Sequence, residues 1–322
     1  MTTFVHQLER NGPERVETFS ERDARAWAVR QATSHYENFS VLSALVPPDR
    51  REDFAAVYAF CRWADDLADE VHSPQRSLEL LDWWRRELAQ CFAGDPRHPV
   101  FIALAPTIRR HDLPIEPFEA LIGAFEQDQR VTRYDTWEQL LGYCRGSADP
   151  VGRLVLMVLG ESRDAARFER SDAVCTALQL TNHWQDVRRD ILDRNRVYIP
   201  REMIRGERFD ERLRQSAAQG WAVDGSFLDQ SRRAIRACVR RTWPLFEKGE
   251  GLLDLVSDRA RPIIWLFIAG GEHVLHRIET WDYETALHRP TLGPVTKARL
   301  VFRAWRLARG WGGTRRRAGG AP

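Results

Sequence analysis

The sequence predicts a single all-α domain, and three observations support that fold class. Apolar residues recur at helical spacing along almost the whole chain, and no run alternates convincingly with a period of two residues. The breaks between apolar stretches carry glycine, proline or aspartate, as at VPPD (46–49) and HDLP (111–114). No internal repeat or low-complexity linker divides the 322 residues, so one helical domain is the simplest interpretation.

Ten helices follow from these patterns, in order along the chain. They cover residues 21–33, 51–70, 75–92, 100–110, 115–129, 137–159, 164–194, 201–215, 221–247 and 262–280. We expect Asp49 and Ser73 to cap helix N-termini, and Pro114 lies near a further start. Residues 1–20 are assigned to an N-terminal extension, residues 21–309 to the helical domain and residues 310–322 to a disordered basic tail.

Composition narrows the classes of function. Hydrophobic residues make up 43% and charged residues 29%, which is typical of a globular protein, and a net charge of +2 gives no reason to expect nucleic-acid binding. Five cysteines without a CxxC pair indicate a reducing compartment and no disulfide framework. No secretory segment or bilayer-spanning stretch is visible, so we expect a cytoplasmic protein, in peripheral contact with the inner membrane at most.

Two acidic clusters lie far apart in the chain, each inside a predicted helix. Asp65 and Asp69 are four residues apart, and so are Asp186 and Asp190. This spacing places both carboxylates of a pair on one helix face, where like charges disfavour the helix. A divalent cation shared between the two helices would offset that cost. Because the candidate ligands are oxygen atoms and no histidine or cysteine accompanies them as a ligand, Mg²⁺ is favoured over zinc.

Further polar side chains extend each pair into a narrow stripe. The first stripe contains Tyr58, Arg62, Asp65 and Asp69, and the second contains Gln179, Asn182, Asp186 and Asp190. At 100° per residue the stripes span about 60° and about 80° of the helix surface, and apolar residues flank both. One acidic pair alone is typical of a solvated face. Two pairs with amide, guanidinium and aromatic neighbours favour the polar lining of a cavity.

A third segment concentrates small residues inside a predicted helix. Gly146, Ala148, Pro150 and Gly152 follow one another at alternate positions, and Pro150 should kink the helix. Small residues at a kink allow a bulky apolar ligand to approach the backbone. They equally allow two helices to meet closely at a turn, and this segment alone does not separate the two interpretations.

Three segments together resemble the squalene/phytoene synthase family of head-to-head prenyl synthases. They are YAFCRWADDLADE (58–70), YCRGSADPVGRLVL (143–156) and LQLTNHWQDVRRDILDRNRVYIP (178–200), within a resemblance that runs from about residue 35 to 289. The resemblance implies an isoprenoid synthase fold, a single helical bundle around a central apolar cavity that holds two prenyl chains. It also implies that Mg²⁺ ions at the mouth of the cavity bind the diphosphate of a prenyl diphosphate substrate.

The resemblance also implies roles for individual residues. The metal ligands would be Asp65, Asp69, Asn182, Asp186 and Asp190. The residues in contact with diphosphate or the reacting carbons would be Tyr58, Arg62, Tyr143, Gln179, Arg196 and Tyr198. We expect His183 to be a packed helix residue and give His72 no role in the site, whereas Arg289 and Lys297 could close over diphosphate or belong to a solvated basic end.

Three departures from the usual pattern resemble the bacterial hydroxysqualene synthase subgroup of hopanoid pathways. They are the segment HYENF (35–39), Gln185 where the family usually carries arginine, and Gly270-Gly271 in place of a cavity aromatic. This subgroup converts presqualene diphosphate and water to hydroxysqualene and diphosphate, alongside partner pathway enzymes. The alternatives are a synthase that condenses two prenyl diphosphates to presqualene diphosphate, squalene or phytoene, a terpene cyclase, and a non-catalytic helical scaffold. A di-iron bundle would need Glu-x-x-His pairs, and the chain has none.

Overall fold

A computed structural model describes residues 4–35 and 45–310, and the fold is all-α as predicted. The α-helices are α1 Phe4–Asn11, α2 Glu21–His35, α3 Arg51–Asp69, α4 Pro74–Phe92, α5 Pro99–His111, α6 Glu116–Asp128, α7 Trp137–Ser147, α8 Asp149–Leu159, α9 Ala165–Gln185, α10 Val187–Asp193, α11 Phe209–Gln219, α12 Gly225–Glu250, α13 Arg261–Thr280 and α14 Pro294–Ala308. Short 3₁₀ turns cover Pro48–Arg50, Arg201–Met203 and Gly251–Asp254. In the described ranges the extended structure is limited to a strand at Arg15–Val16, which pairs with Asn11 and Gly12, and an isolated bridge between Arg133 and Val197.

Two apolar clusters form the core: one surrounds α3, which carries the first acidic pair, and the other surrounds α9, which leads into the second pair. Helix α3 packs against α2, α4, α5 and α6 and buries Phe60, Trp63 and Leu67 completely. Helix α9 packs against α8, α12 and α13 and buries Leu180 and Trp184 completely. Burial on this scale fixes the rotation of both helices, because turning either one would expose its large apolar side chains. Their polar stripes are thereby held in place.

The predicted long helices at 137–159 and 164–194 are each two helices in the structure. The first is interrupted at Ala148, whose backbone lies at φ −121° and ψ −50°, and Pro150 occupies the first turn of α8. Proline fits there because its missing N–H has no partner in a first turn. The second is interrupted at Asp186, at φ −101° and ψ 13°. The predicted helix at 201–215 is also displaced, since α11 begins only at Phe209.

The crowded small residues in α8 bring two helices together. A Cβ atom on Gly152 would lie 2.5 Å from Ser171 Oγ and would also overlap Cys175 Sγ, both on α9. Glycine at this position therefore allows the approach of α8 to α9 without a shift of either side chain. Of the two interpretations left open by the sequence, the structure supports the close helix pair at Gly152.

Both ends of the chain contain helices that the sequence pattern did not predict. Helix α1 lies within the predicted N-terminal extension, and its Phe4 ring packs edge-on against Trp63 with the centroids 5.2 Å apart. Helix α14 was missed because only Leu300 and Ala304 of its residues are buried. Residues 311–322 of the predicted tail lie outside the described residues. None of the helices in the described ranges has the length and apolar character needed to cross a membrane.

Of the two predicted N-terminal caps, Ser73 is correct and Asp49 is wrong. Ser73 caps α4, and its hydroxyl oxygen accepts a hydrogen bond from the Arg76 backbone N–H at 3.4 Å. Asp49 lies within the 3₁₀ turn instead, and α3 begins at Arg51 without a side-chain cap. The preceding 3₁₀ turn leads directly into α3, so the chain enters the helix without the extended residue that a side-chain cap requires.

Candidate active site

The first acidic pair lies at the C-terminal end of α3. Asp69 is the last residue of the helix, and Asp65 lies one turn before it. Arg62 donates to Asp65 Oδ2 at 3.3 Å and to Asp66 Oδ2 at 3.0 Å, so it draws two neighbouring carboxylates together. Tyr58 lies one turn further back, half-buried against an alanine cluster between α2 and α3. The predicted stripe is therefore continuous along this face.

The second acidic pair lies where α9 gives way to α10. Asp186 is the residue at the break, and Asp190 is buried in α10. Arg189 contacts Asp186 at 3.2 Å, and Arg289, from the far C-terminal part of the chain, forms an ion pair with the same carboxylate. Arg194 lies 3.7 Å from Asp190. Each carboxylate thus has a guanidinium partner.

Two arginines after α10 contact Asp69, and one of them, Arg194, also reaches Asp190 of the second pair. Arg194 Nε lies 2.7 Å from Asp69 Oδ2, and Arg196 Nη1 donates to Asp69 Oδ1 at 3.1 Å. Asn195 between them adopts φ 52°, a left-handed conformation that asparagine tolerates well. This turn lets both neighbouring arginines reach one carboxylate. The two acidic pairs therefore face each other across a layer of guanidinium groups.

A buried network of tyrosines continues the site behind Arg196. Tyr143 donates to Asp128 Oδ2 at 2.8 Å, and Tyr198 donates to Asp128 Oδ1 at 3.4 Å. Arg196 Nη1 lies 4.0 Å from the same carboxylate. The ring of His183 stacks on Tyr198 with the centroids 3.6 Å apart, so His183 is packed as predicted and also belongs to the wall of the site.

Burial and mutual repulsion raise the pKa of several carboxyl groups here. Burial, and then the charge of Asp69, raise the pKa of Asp65 to about 6. Burial, and then the charge of Asp186, raise the pKa of Asp190 to about 7. The pKa of Asp128 is raised to about 6, mainly by burial. The arginines oppose these shifts without cancelling them, so the ionised carboxylates still lack positive charge.

The donor atoms suit Mg²⁺ held together with a phosphate ligand. The two pairs offer carboxylate oxygens, with Asn182 exposed one turn before Asp186. In the described part of the chain, no three histidine, cysteine, aspartate or glutamate side chains converge to hold an ion by themselves. Mg²⁺ commonly binds through one or two carboxylates together with substrate phosphates, so a protein-only cage is not required. The residues present therefore fit Mg²⁺ bound together with phosphate.

Comparison with known proteins shows the family to which this chain belongs. The sequence profile of the family described as squalene/phytoene synthase matches residues 32–304. The chain belongs to the squalene/phytoene synthase family. It is accordingly an isoprenoid synthase by family, and its helical bundle is the isoprenoid synthase fold.

Individual relatives lie at different distances within this family. The chain is 40% identical to hydroxysqualene synthase of Sinorhizobium fredii, over 71% of this chain and 75% of the relative. It is 30% identical to 15-cis-phytoene synthase of Synechocystis sp., over 86% of this chain and 83% of the relative. The crystal structure of squalene synthase HpnC from Alicyclobacillus acidocaldarius matches with a TM-score of 0.71 and 42% identity, over 82% of this chain and 95% of that one.

The structure places two of the three departures from the usual family pattern. Gln185 is buried, donates to the carbonyl oxygen of Pro290 and accepts from Arg289 at 3.4 Å. Gly271 packs against Leu178 and Phe246, whereas a Cβ atom on Gly270 would meet only open space. Residues 36–39 of the HYENF segment lie outside the described residues. Gln185 therefore orients the arginine that pairs with Asp186.

Several residues of the site were not selected from the sequence. Asp66, Asp128 and Arg194 each make an ion pair or hydrogen bond with a predicted residue. Arg289, which the sequence left open, lies in the site, whereas Lys297 lies on the separate helix α14. Among the predicted residues, half-buried Gln179 and exposed Asn182 make no side-chain hydrogen bond within the described ranges, which leaves both amides available to a ligand.

A separate cavity lies at the other end of α3. Its volume is about 780 Å³, and its lining includes Arg50, Arg110 and His111. Arg110 and His111 both contact Asp53, which precedes Asp65 by twelve residues on the same helix. At 1.5 Å per residue the two aspartates are roughly 18 Å apart along α3. This cavity is therefore distinct from the acidic site.

Proposed function

We propose that this protein is a hydroxysqualene synthase that converts presqualene diphosphate and water to hydroxysqualene and diphosphate with the help of Mg²⁺. The observation that carries the proposal is the meeting of the two acidic pairs at Arg194, which contacts both Asp69 and Asp190. Such a site binds and ionises a diphosphate ester. The identity to hydroxysqualene synthase of S. fredii supports the choice of reaction within the family.

The chain's own residues bind and orient the diphosphate. We assign the metal-ligand role to Asp65, Asp69, Asn182, Asp186 and Asp190. Mg²⁺, when bound there, offsets the negative charge of the leaving diphosphate. Arg62, Arg196 and Arg289 each contact one of these carboxylates and can turn a charged N–H toward phosphate oxygens. Gln179 supplies an amide to the same ligand.

Ionisation breaks the carbon–oxygen bond, and the bonding electrons leave with the diphosphate. The remaining carbocation rearranges, and its cyclopropane ring opens. The aromatic faces of Tyr58, Tyr143 and Tyr198 stabilise positive charge through their quadrupoles, by about 2 kcal/mol or more in a desolvated site. Burial, and then the charge of Asp128, hold the pKa of Tyr143 and Tyr198 well above its ordinary value, so both remain neutral phenols.

Water capture completes the reaction. The water oxygen forms a bond to the allylic cation, and the proton that it loses passes to the released diphosphate. No reductant is consumed, because the cation is neutralised by water and not by hydride. The open space beside Gly270 gives room on α13 where the usual family pattern has an aromatic side chain.

Product analysis tests the assignment directly. Purified protein is incubated with presqualene diphosphate and Mg²⁺ in the absence of NADPH, and the extract is analysed for hydroxysqualene. We expect hydroxysqualene, and no product when the metal is removed by a chelator. If presqualene diphosphate is not converted, or yields another product, the proposed reaction is wrong.

The second candidate is a synthase that condenses two prenyl diphosphates. The similarity to 15-cis-phytoene synthase of Synechocystis sp. and to the structure of squalene synthase HpnC supports this second candidate. The same assay with farnesyl or geranylgeranyl diphosphate separates the two, because a condensing enzyme consumes these substrates. Under the leading proposal other pathway enzymes supply presqualene diphosphate and consume hydroxysqualene, and the protein works at the periphery of the inner membrane.

A further inference from the structure

Helix α14 presents two large apolar side chains to solvent. Val295 is 63% exposed and Phe302 is 58% exposed. Seven residues separate them, so they lie on the same face of the helix. The opposite face packs against α13 and buries Leu300 and Ala304. The outward face thus carries two exposed apolar side chains two turns apart, although burying them would be favourable.

Basic residues surround this outward face. Arg299 and Arg306 are exposed and lie next to Val295 and Phe302 on the helix surface. The excess of positive charge extends to both sides of the helix in the sequence. Residues 285–322 contain nine arginines and lysines and neither aspartate nor glutamate. Such a combination of apolar and cationic groups complements an anionic lipid surface, which offers both phosphate charge and an apolar interior.

The position of α14 links this face to the active site. The helix begins at Pro294, five residues after Arg289, which pairs with Asp186. Gln185 donates to the carbonyl oxygen of Pro290 and so fixes the intervening loop to the second acidic pair. Helix α14 therefore starts five residues beyond an arginine of the second acidic pair, and the loop between them is held to that pair through Gln185.

We propose that α14 docks the protein on membranes that carry anionic headgroups. Phe302 and Val295 enter the headgroup region, while Arg299 and Arg306 pair with lipid phosphates. The helix lies in the plane of the membrane, since it has two exposed apolar side chains on one face and basic residues beside them. This docking does not depend on which prenyl diphosphate the enzyme uses. It would let apolar substrate and product pass between the site and the lipid without crossing bulk water.

Vesicle co-sedimentation of the full chain tests the docking surface. Vesicles of equal parts phosphatidylglycerol and phosphatidylcholine should bind the protein, and vesicles of phosphatidylcholine alone should bind it much more weakly. The double variant Arg299→Gln/Arg306→Gln should bind the anionic vesicles about 25-fold more weakly, from about fivefold for each cation removed. Val295→Ser/Phe302→Ser should also lose most of the binding, while the unfolding midpoint of both variants stays near that of wild type.

Matched controls lie on other surfaces of the molecule. Arg233 and Arg240 are exposed on α12 and also seven residues apart, so Arg233→Gln/Arg240→Gln removes the same charge. Trp221, 66% exposed, is the control for the apolar pair as Trp221→Ser. Both controls should bind like wild type. The proposal is overturned if wild type does not bind anionic vesicles, or if the controls lose as much binding as the α14 variants. It is also overturned if light scattering shows that the α14 face joins two copies of the chain and excludes lipid.

Discussion

Two faces of helix α3 differ in how completely neighbouring residues pack against them or balance their charge. On one face Trp63 stacks on Trp84 with ring centroids 5.6 Å apart, and Phe60 meets Phe118 edge-on at 5.0 Å. On the other face Arg62 and Asp65 are half-exposed and charged. The apolar face is closed by its neighbours, whereas burial and then the charge of Asp69 raise the pKa of Asp65 on the polar face.

This difference separates what holds the fold together from what the site is built to bind. Aromatic packing is complete without a ligand, so changes there should affect stability and leave the activity of folded molecules intact. The acidic face has carboxylates to offer to an incoming cation. Changes there should affect turnover and leave stability almost unchanged or slightly higher.

The largest expected effect is on stability, from truncation on the aromatic face. Trp84 is fully buried between Trp63 and Phe101, so Trp84→Ala should lower the free energy of unfolding by about 3–5 kcal/mol. Urea unfolding measures this change. Trp221→Ala, at a largely exposed position, should change stability by less than about 0.5 kcal/mol. Equal losses in the two variants would show that the aromatic face contributes no special stability.

On the acidic face the expected effect is on catalysis. Asp190→Asn should lower kcat/KM by roughly 10²–10³-fold, because it removes a proposed ligand of the Mg²⁺ that offsets the charge on the leaving diphosphate. The helical circular dichroism and the unfolding midpoint should be retained, since the change also removes repulsion from Asp186. Asp193→Asn, at an exposed position three residues along α10, is the control and should remain active. Inactivity of both variants would contradict a specific role for Asp190.

The two adjacent glycines of α13 allow a finer comparison of packed and open positions. A Cβ atom on Gly271 would lie 2.5 Å from Leu178 and 2.7 Å from Phe246, so Gly271→Ala should cost about 1–3 kcal/mol of stability. Gly270→Ala meets open space and should be neutral or stabilising by up to about 1 kcal/mol, because alanine favours a helix. Thermal unfolding of both variants measures the contrast, and a larger loss for Gly270→Ala would contradict the difference in packing between the two glycines.

The smallest effect concerns pH and a histidine in the aromatic cluster. Burial lowers the pKa of His98 to about 3, whereas an unfolded histidine titrates near pH 6.5. As the pH falls below 6.5 the unfolded state takes up a proton that the folded state does not, so wild type loses about 1.4 kcal/mol per pH unit from this group. His98→Asn keeps an acceptor at the N-cap of α5 and removes the titration.

The stability difference between wild type and His98→Asn should therefore shrink between pH 7.5 and pH 5.5. Carboxyl groups whose pKa is raised titrate equally in both proteins, so their contribution cancels from the difference in the free energy of unfolding. Urea unfolding at the two pH values measures it. A difference that is independent of pH would mean that His98 is not held neutral by burial.

Much of the fold was predictable because apolar spacing reports the period of a helix directly. The all-α class, most of the helices and the cap at Ser73 were predicted correctly. A kink was expected at Pro150, and the helix is interrupted two residues earlier, at Ala148. The break at Asp186 was missed because the apolar pattern continues through it. Helix α14 was missed for the opposite reason, since few of its side chains are buried and its pattern is dominated by arginine.

Residues within one helix of the site were also predictable, because spacing determines which side chains share a face. Contacts between distant segments were not. Asp128 stands at the end of α6 without an acidic partner, and nothing local indicates that Tyr143 and Tyr198 both reach it. Arg194 reaches Asp69 only through the left-handed turn at Asn195, which the sequence pattern did not reveal.

The central claim is that the two acidic pairs form one site that ionises a diphosphate. A double-mutant cycle of Asp65→Asn and Asp186→Asn, measured as Mg²⁺-dependent kcat/KM with presqualene diphosphate, tests it most directly. Groups that act as a unit lose most of their function together, so each single variant should fall by roughly 10²–10³-fold and the double variant only slightly further. Full turnover in either single variant, or losses that multiply in the double variant as for independent sites, would contradict the claim.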